Sequence, residues 1–211
     1  DPLFKSLRNN HISIYETVPS HLAIILEELE REPTVQKLIS LKLIMLNGEP
    51  LFPNFYYSWN KLYPHIPMAN VYGPTECSDD VTHLTKIEKT HTYSQTISIG
   101  KMIRQLKGYI LDEFSNPLPA GFKGELCITG VGLARGYINQ PDITARAFVP
   151  APFESSTRMY RTGDHMVVRE TLDMEHLGRI DSQTKVNGQR VELEEIESVI
   201  SSYEEVYQSA V

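Results

Sequence analysis

The sequence predicts an α/β fold: a parallel sheet with flanking helices, then a small β-barrel, then the start of a small α+β unit. Three observations carry this. Apolar, β-branched runs alternate with helical periodicity through residue 72. Past residue 95 the pattern changes to short strands around Pro/Gly-rich turns. Near the end, a hairpin signal precedes an amphipathic helix.

Residues 12–18 read as a buried strand. Pro19 and Ser20 then offer a helix start, with Ser20 as N-cap. Leu22, Ile25, Leu26 and Leu29 follow at helical spacing, with Glu27 and Glu28 outward. Leu41 to Leu46 is a second strand, and a helix from Pro53 to Leu62 carries Phe55, Trp59 and Leu62 on its apolar face. Met68 to Tyr72 is the third strand. Strand–helix–strand–helix–strand at this spacing predicts parallel strands with right-handed crossovers.

Strands over 108–112 and 124–130 flank a turn at 116–121, and Pro141 opens a short helix capped by Asp142. Residues 166–168 and 175–177 form another strand pair, which suggests a small barrel or sandwich. Asn187 and Gly188, between 183–186 and 189–192, give a type I′ hairpin signal. The helix that follows is apolar at Ile196, Val199, Ile200 and Tyr203, with Glu194, Glu195 and Glu197 in its first turns. Asp1 in place of Met, and a strand-like end over 207–211, suggest a piece cut from a longer chain.

With 211 residues, 41% hydrophobic and 22% charged, the chain has the composition of a soluble globular protein. Its net charge of −7 argues against a nucleic-acid surface. No apolar run reaches the roughly 20 residues that cross a membrane. Cys77 and Cys127 show no metal-ligand spacing and fit a reducing cytoplasm.

In open α/β sheets, ligands bind beyond the carboxyl ends of the strands. Those ends carry Val18 to His21, Asn47 to Pro50, and Asn70 to Glu76, so the three loops converge on one crevice. The last is the richest in chemistry. It places an amide and an aromatic ring on a strand end, then a hydroxyl and a carboxylate on a Gly-Pro turn. Those groups suit a base, a phosphate and a metal ion.

Four stretches then coincide with one family: Asn70-Val-Tyr-Gly-Pro-Thr-Glu76, Gly124 to Tyr137, Tyr160-Arg-Thr-Gly-Asp164, and Gly178 to Glu192. The sequence resembles the amino-acid-activating adenylation domains of non-ribosomal peptide synthetases, in a superfamily with acyl-CoA synthetases and luciferases. Residues 134–137 and 139–148 resemble the peptide synthetases more than the acyl-CoA synthetases.

The resemblance implies ATP and Mg²⁺ as cofactors and a carrier-domain phosphopantetheine as acyl acceptor. An amino-acid substrate, a peptidyl carrier domain and neighbouring synthetase domains are the implied partners. Thr75 would bond the α-phosphate and Glu76 the Mg²⁺; these are the catalytic pair. Tyr72 would lie against adenine, Asn70 at the base edge, and Gly48, Glu49 and Pro50 along its other side, with Val71 and Gly73 adjoining. Asp164 would accept from the ribose hydroxyls, Arg179 would reach ribose or phosphate, and His176 stands near the ribose where Tyr is common. Arg135 is expected to serve the scaffold.

The matching amino-acid pocket positions are His21, Met45, Asn47, Val71, Asp79 and Asp80. The two carboxylates suggest a basic or strongly polar substrate side chain. Three parts follow: an α/β portion with the crevice over 1–95, the barrel over 96–180, and a mobile small unit over 181–211. Asp181 would be its hinge, and Gly188 would lie on the pantetheine side. His165 and Asn187 depart from the family pattern. Its phosphate loop, substrate-anchoring Asp and late Lys are not within these residues, so the chain alone is expected to be inactive. Two other readings stay open: another acyl or aryl ligase, and a non-catalytic nucleotide-binding remnant.

Overall fold

The computed structural model describes residues 2–31, 38–85, 87, 95–186, 188–203, 206 and 208–211. A helix absent from the sequence reading, α1 (Pro2–Asn9), comes first and buries Leu7. The expected alternation follows as β1 (Ile14–Thr17), α2 (Pro19–Arg31), β2 (Leu43–Leu46), α3 (Pro53–Leu62) and β3 (Met68–Tyr72). β1, β2 and β3 lie side by side and parallel. Two antiparallel strands, β4 (Thr82–Leu84) and β5 (Lys101–Met102), extend the sheet in the order β1-β2-β3-β4-β5. At three and two residues they are too short to show a period in sequence.

Leu22, Ile25, Leu26 and Leu29 of α2 pack with Trp59 of α3 against Ile44, Leu46 and Met68 of the sheet. Phe55 and Leu62 pack beside them, so the apolar face expected of α3 is the buried one. The cap expected at Ser20 is not formed, because α2 begins one residue earlier, at Pro19. Instead the Ser20 backbone N–H donates to Glu49 Oε2 at 2.8 Å and its hydroxyl to Oε1 at 3.0 Å. A carboxylate from another loop thus satisfies the helix start.

The second layer consists of β6 (Leu106–Leu111), β7 (Lys123–Gly130), α4 (Pro141–Ala147), β8 (Phe148–Pro150), β9 (Arg158–Val168) and β10 (Met174–Arg179). Its antiparallel sheet runs β10-β9-β7-β6, with β8 on β9. Leu126, Ile128, Phe148, Tyr160 and Met166 form its core. Strand β9 is far longer than the three residues expected and carries the whole Tyr160 to Asp164 stretch. α4 starts at Pro141 with Gln140 in the cap position, so Asp142 is not the cap but an acid of the first turn.

The last part pairs β11 (Thr184–Val186) with β12 (Gln189–Val191), then α5 (Leu193–Ser201). Val186 faces Gln189, which leaves a two-residue loop, and Gly188 has φ +76° as the hairpin signal required. Asn187, Tyr207 and the Glu194 side chain lie outside what is described; 208–211 form no strand.

The two sheets meet along residues 97–100. Ser98 Oγ donates to Met174 O at 2.9 Å, and Asn70 Nδ2 donates to Ile97 O at 3.0 Å and Ser98 O at 2.9 Å. Asn70 is 2% exposed, so its amide is a tie between layers. Asn70→Ala should leave two buried carbonyls unpaired and cost about 2–4 kcal/mol, read as a lower urea midpoint of the full chain. An unchanged midpoint would show that the seam does not depend on this amide.

Candidate active site

The loops after β2 and β3, the ends of β9 and β10, and the β11–β12 hairpin enclose a crevice of about 790 Å³. The predicted residues Asn47 to Pro50, Asn70 to Glu76, Asp79, Asp164, His176, Arg179, Asp181 and Gly188 all line it. The third predicted loop does not. His21 turns its ring to Thr17 Oγ1 at 3.0 Å and the Tyr15 hydroxyl at 3.3 Å, and Met45 stays in the sheet. Neither His21, Met45 nor Asp80 lines the crevice.

Glu76 sits in a 3₁₀ turn, Thr75–Cys77, immediately after β3. The chain can reach this turn because Gly73 has no Cβ; one built there would fall 1.5 Å from Asp79 O. Ser78 and Asp79 follow in left-handed backbone, φ +64° and +77°, which non-glycine residues adopt at a cost. Glu76 is buried, and its Oε1 accepts from the Tyr137 hydroxyl at 2.6 Å and Arg190 Nη1 at 2.7 Å. Burial disfavours the charged form, but those bonds and the Arg190 charge outweigh it and hold the carboxyl below its ordinary range. Oε2 is also buried and has no hydrogen-bond partner among the described residues. Thr75, beside it, is exposed to the crevice.

Asp164 is the second buried carboxylate. Its Oδ2 accepts from the Tyr72 hydroxyl at 2.5 Å; Oδ1 accepts from His176 Nε2 and Arg179 Nη1, both at 3.1 Å. Burial again opposes ionisation, and the His176 and Tyr72 bonds with the Arg179 charge reverse it, so this carboxyl too lies low. The Gly178 N–H donates to His176 Nδ1 at 3.2 Å, which makes Nε2 the protonated ring nitrogen. Burial and Asp164 push the Tyr72 phenol well up, so it remains a donor.

Arg179 bonds Asp181 through Nε at 2.7 Å and Nη2 at 2.6 Å, and its Nη1 also donates to Thr162 O at 2.8 Å. A Cβ on Gly163, φ +71°, would stand 2.7 Å from Arg179 Nη2, so the glycine makes room for the guanidinium. The Asp164–Arg179 pair is therefore partly buried and site-facing rather than a surface ion pair.

A third acidic group lies at the crevice edge. Carboxylate oxygens of Glu16, Asp79 and Asp80 lie within 4.8 Å of one another. Asn47 Nδ2 bridges Glu16 Oε1 and Asp80 Oδ1, each at 3.2 Å, and His83 Nε2 meets Asp80 Oδ2 at 3.1 Å. Burial and the neighbouring Glu16 charge raise the Asp80 pKa against the pull of His83. A cation placed there would relieve this crowding.

Several expected roles change in detail. The Asn70 amide hydrogens are spent on Ile97 and Ser98, so it cannot also donate to a ligand at a base edge. The Glu49 side chain serves α2, leaving its backbone to the crevice. Arg135 gives its carbonyl to Arg158 Nη1 at 2.9 Å, a scaffold contact. Sequence reasoning missed Tyr137, Arg190 and Glu16. The first two stood inside quoted motifs, yet nothing local joins them to Glu76 across 61 and 114 residues.

Comparison with known proteins agrees with this geometry. A model of the AMP-binding enzyme family matches residues 1–138. Zwittermicin A synthase ZmaJ of Bacillus cereus is 39% identical over 99% of this chain and 40% of its own length. Tyrocidine synthase 1 of Brevibacillus parabrevis is 38% identical over 97% of this chain and 18% of its own length. Among solved structures, an NRPS protein containing adenylation and PCP domains superposes with a TM-score of 0.83 at 26% identity, covering 94% of this chain and 39% of that one. The Vibrio cholerae adenylation domain AlmE, in complex with glycyl-adenosine-5′-phosphate, gives 0.80 at 29% identity, covering 99% and 39%. The chain thus spans about two fifths or less of these relatives.

Glu76 and Asp164 both have folded pKa values below their ordinary 4.5 and 3.8. Their contribution to stability is full above those ordinary values and is lost as pH falls through the lower folded ones. The denaturation midpoint of the full chain should therefore fall below about pH 4.5. Glu76→Gln should flatten that fall. Equal steepness in both proteins would remove Glu76 from the account.

Proposed function

Because the chain belongs to the AMP-binding enzyme family, we propose that it is part of an amino-acid adenylation domain of a non-ribosomal peptide synthetase. In the first half-reaction an amino-acid carboxylate oxygen attacks the α-phosphorus of ATP. The bond to pyrophosphate breaks, leaving an aminoacyl-adenylate. In the second, the thiol of a carrier-domain phosphopantetheine attacks the acyl carbon, loses its proton, and AMP departs. The relatives named as synthases and the glycyl-adenylate held by AlmE support this reading.

The single observation that carries it is the crevice itself. One cavity is lined by an aromatic residue, Tyr72, an ionised Asp164 and a buried Glu76. Tyr72 offers a face to the adenine, and Asp164 accepts from ribose hydroxyls in exchange for donors it now holds. Thr75 donates to the α-phosphate. Glu76 fits Mg²⁺: its buried Oε2 is a carboxylate oxygen with no hydrogen-bond partner among the described residues, which a hard cation would satisfy. Mg²⁺ bound there would neutralise phosphate charge during the in-line attack.

Residues 1–95 and 96–180 form the large body, and 181–211 begin a small mobile unit hinged at Asp181. Gly188 faces the entering pantetheine. Neighbouring synthetase domains complete the assembly. No described helix is long and apolar enough to cross a membrane, and the buried free thiols of Cys77 and Cys127 accord with a cytoplasmic location.

For the substrate, the acidic trio at Asn47 favours an amino acid with a cationic side chain. Glu16, Asp79 and Asp80 present three carboxylates, and among the described residues His83 is the basic partner of Asp80. Pyrophosphate exchange into ATP by the full-length gene product, over amino, aryl and fatty acids, tests this. Lysine- or arginine-like substrates should drive exchange best, and Asp79→Ala or Asp80→Ala should lower it at least about tenfold for them. Exchange driven by aryl or fatty acids would make the protein another ligase of the family. Absence of exchange with every acid tried would leave a non-catalytic nucleotide-binding remnant. Unchanged preference in both variants would remove the carboxylates from the selection of substrate.

A further inference from the structure

Asn47 stands between the two ends of the crevice and spends its side chain on both. Its Oδ1 accepts from the Gly48 N–H at 2.7 Å, and its Nδ2 donates to Glu16 Oε1 and Asp80 Oδ1, each at 3.2 Å. Both amide hydrogens are committed, so the group has no donor left for a ligand. One of its contacts lies on the loop proposed to pass along the base. The other two are carboxylates of the trio proposed to hold the substrate side chain.

The loop is fixed on either side of Gly48. The Asn47 N–H donates to Thr17 O at 3.1 Å, and Leu51 O accepts from the Ile97 N–H at 2.7 Å. The Glu49 carboxylate is held by Ser20 at the start of α2. Between these ties Gly48 takes left-handed backbone, φ +83°, and its N–H is bonded to the Asn47 side chain. A shift of that side chain therefore reaches the Gly48 backbone directly, while the flanking bonds hold the rest of the loop in place.

On the acidic side the bonds are long. A separation of 3.2 Å is the far end of the ordinary range, as expected where two carboxylates repel one another across the amide that joins them. A primary ammonium would remove that repulsion. Three oxygens no further apart than 4.8 Å leave a point within about 2.8 Å of each, the length of a charge-assisted bond, and an ammonium carries three donors. With their charge neutralised, Glu16 and Asp80 can close on Nδ2, and the amide is held more firmly against Gly48.

We propose that Asn47 couples the two ligands of the crevice: an ammonium side chain held by Glu16, Asp79 and Asp80 strengthens nucleotide binding by fixing the Gly48 amide through Asn47. This rests on the two readings given above, a cationic substrate side chain at one end and the base beside Gly48 at the other. Asn47 is then a positioning residue for both ligands and a direct contact of neither. By linkage the effect is reciprocal, so the nucleotide strengthens ammonium binding by the same factor.

The test titrates the full-length gene product calorimetrically with AMP, alone, with saturating L-lysinol and with saturating L-norleucinol, at fixed pH and ionic strength. Neither alcohol has a carboxylate, so no adenylate forms, and the two differ in the terminal ammonium. Lysinol is expected to raise AMP affinity about fivefold more than norleucinol does, and the difference should vanish in Asn47→Ala. Asn47→Asp keeps an acceptor for the Gly48 N–H but removes the donor to Glu16 and Asp80. It should bind lysinol at least as tightly as the unaltered protein and still lose the difference, and it decides the matter if Asn47→Ala does not fold. A lysinol advantage that persists in Asn47→Asp overturns the coupling while leaving the carboxylates as the side-chain site. So does tight lysinol binding that leaves AMP affinity unmoved in the unaltered protein. Lysinol that binds no more tightly than norleucinol overturns the cationic-substrate reading, and AMP that does not bind overturns the nucleotide reading, each taking the coupling with it.

Discussion

The carboxylate of Glu76 is where three distant segments of the chain meet. It comes from the turn after β3, is held by Tyr137 from the strap that follows β7, and is reached by Arg190 from the hairpin. A buried ionised carboxylate is costly unless its oxygens are satisfied. Here one oxygen has two donors and the other has no hydrogen-bond partner among the described residues. That asymmetry fixes how the parts approach. Tyr137 and Arg190 both bond Oε1, and Oε2 stays buried without such a bond among the described residues.

Asp164 repeats the logic with a different result. Both its oxygens are occupied, by Tyr72 on one and by His176 and Arg179 on the other. Tyr72 belongs to the first sheet and the other two to the second, so the carboxylate joins the layers, as Asn70 and Ser98 do. A ligand hydroxyl arriving here exchanges for donors already in place and costs little desolvation. A cation arriving at Glu76 instead fills a vacancy in bonding. The two buried acids are thus suited to different ligand chemistry by their partners, although both ionise readily.

Much of this was legible in the sequence because it is local. The parallel alternation is written in the spacing of Leu22, Ile25, Leu26 and Leu29 and in the runs at 43–46 and 68–72. The hairpin is written in the two-residue loop before Gln189. Strand-end loops after β2 and β3 fell into the crevice because the sheet geometry puts them there. What escaped was long-range. Glu49 caps α2 from 29 residues away, a bond no periodicity shows, and it displaced the cap expected at Ser20. Asn70 read as a ligand group because an amide on a strand end can serve a base or a backbone, and only the position of residues 97–98 decides. His21 sits at a strand end expected to face the crevice, but its ring lies against Thr17 and Tyr15 of β1.

The same distinction explains why the site is assembled from three parts. Within one rigid sheet, a carboxylate can be given a permanent partner, as Asp164 is. Glu76 instead takes its charged partner, Arg190, from a ribbon outside both large sheets. β11 and β12 pair only with each other, so their removal breaks no ladder of either large sheet. Among the described residues, the hairpin and its root meet the rest of the chain at Gly188 beside Val18 and Gly48, Arg190 at Glu76 and Asp181 at Arg179, with Lys185 near the Asp164 and Glu49 charges. The Asp181 contact lies at the hairpin's root. The charge of this buried carboxylate is thus balanced from a different element, where Asp164 is balanced by Arg179 from the strand paired with its own.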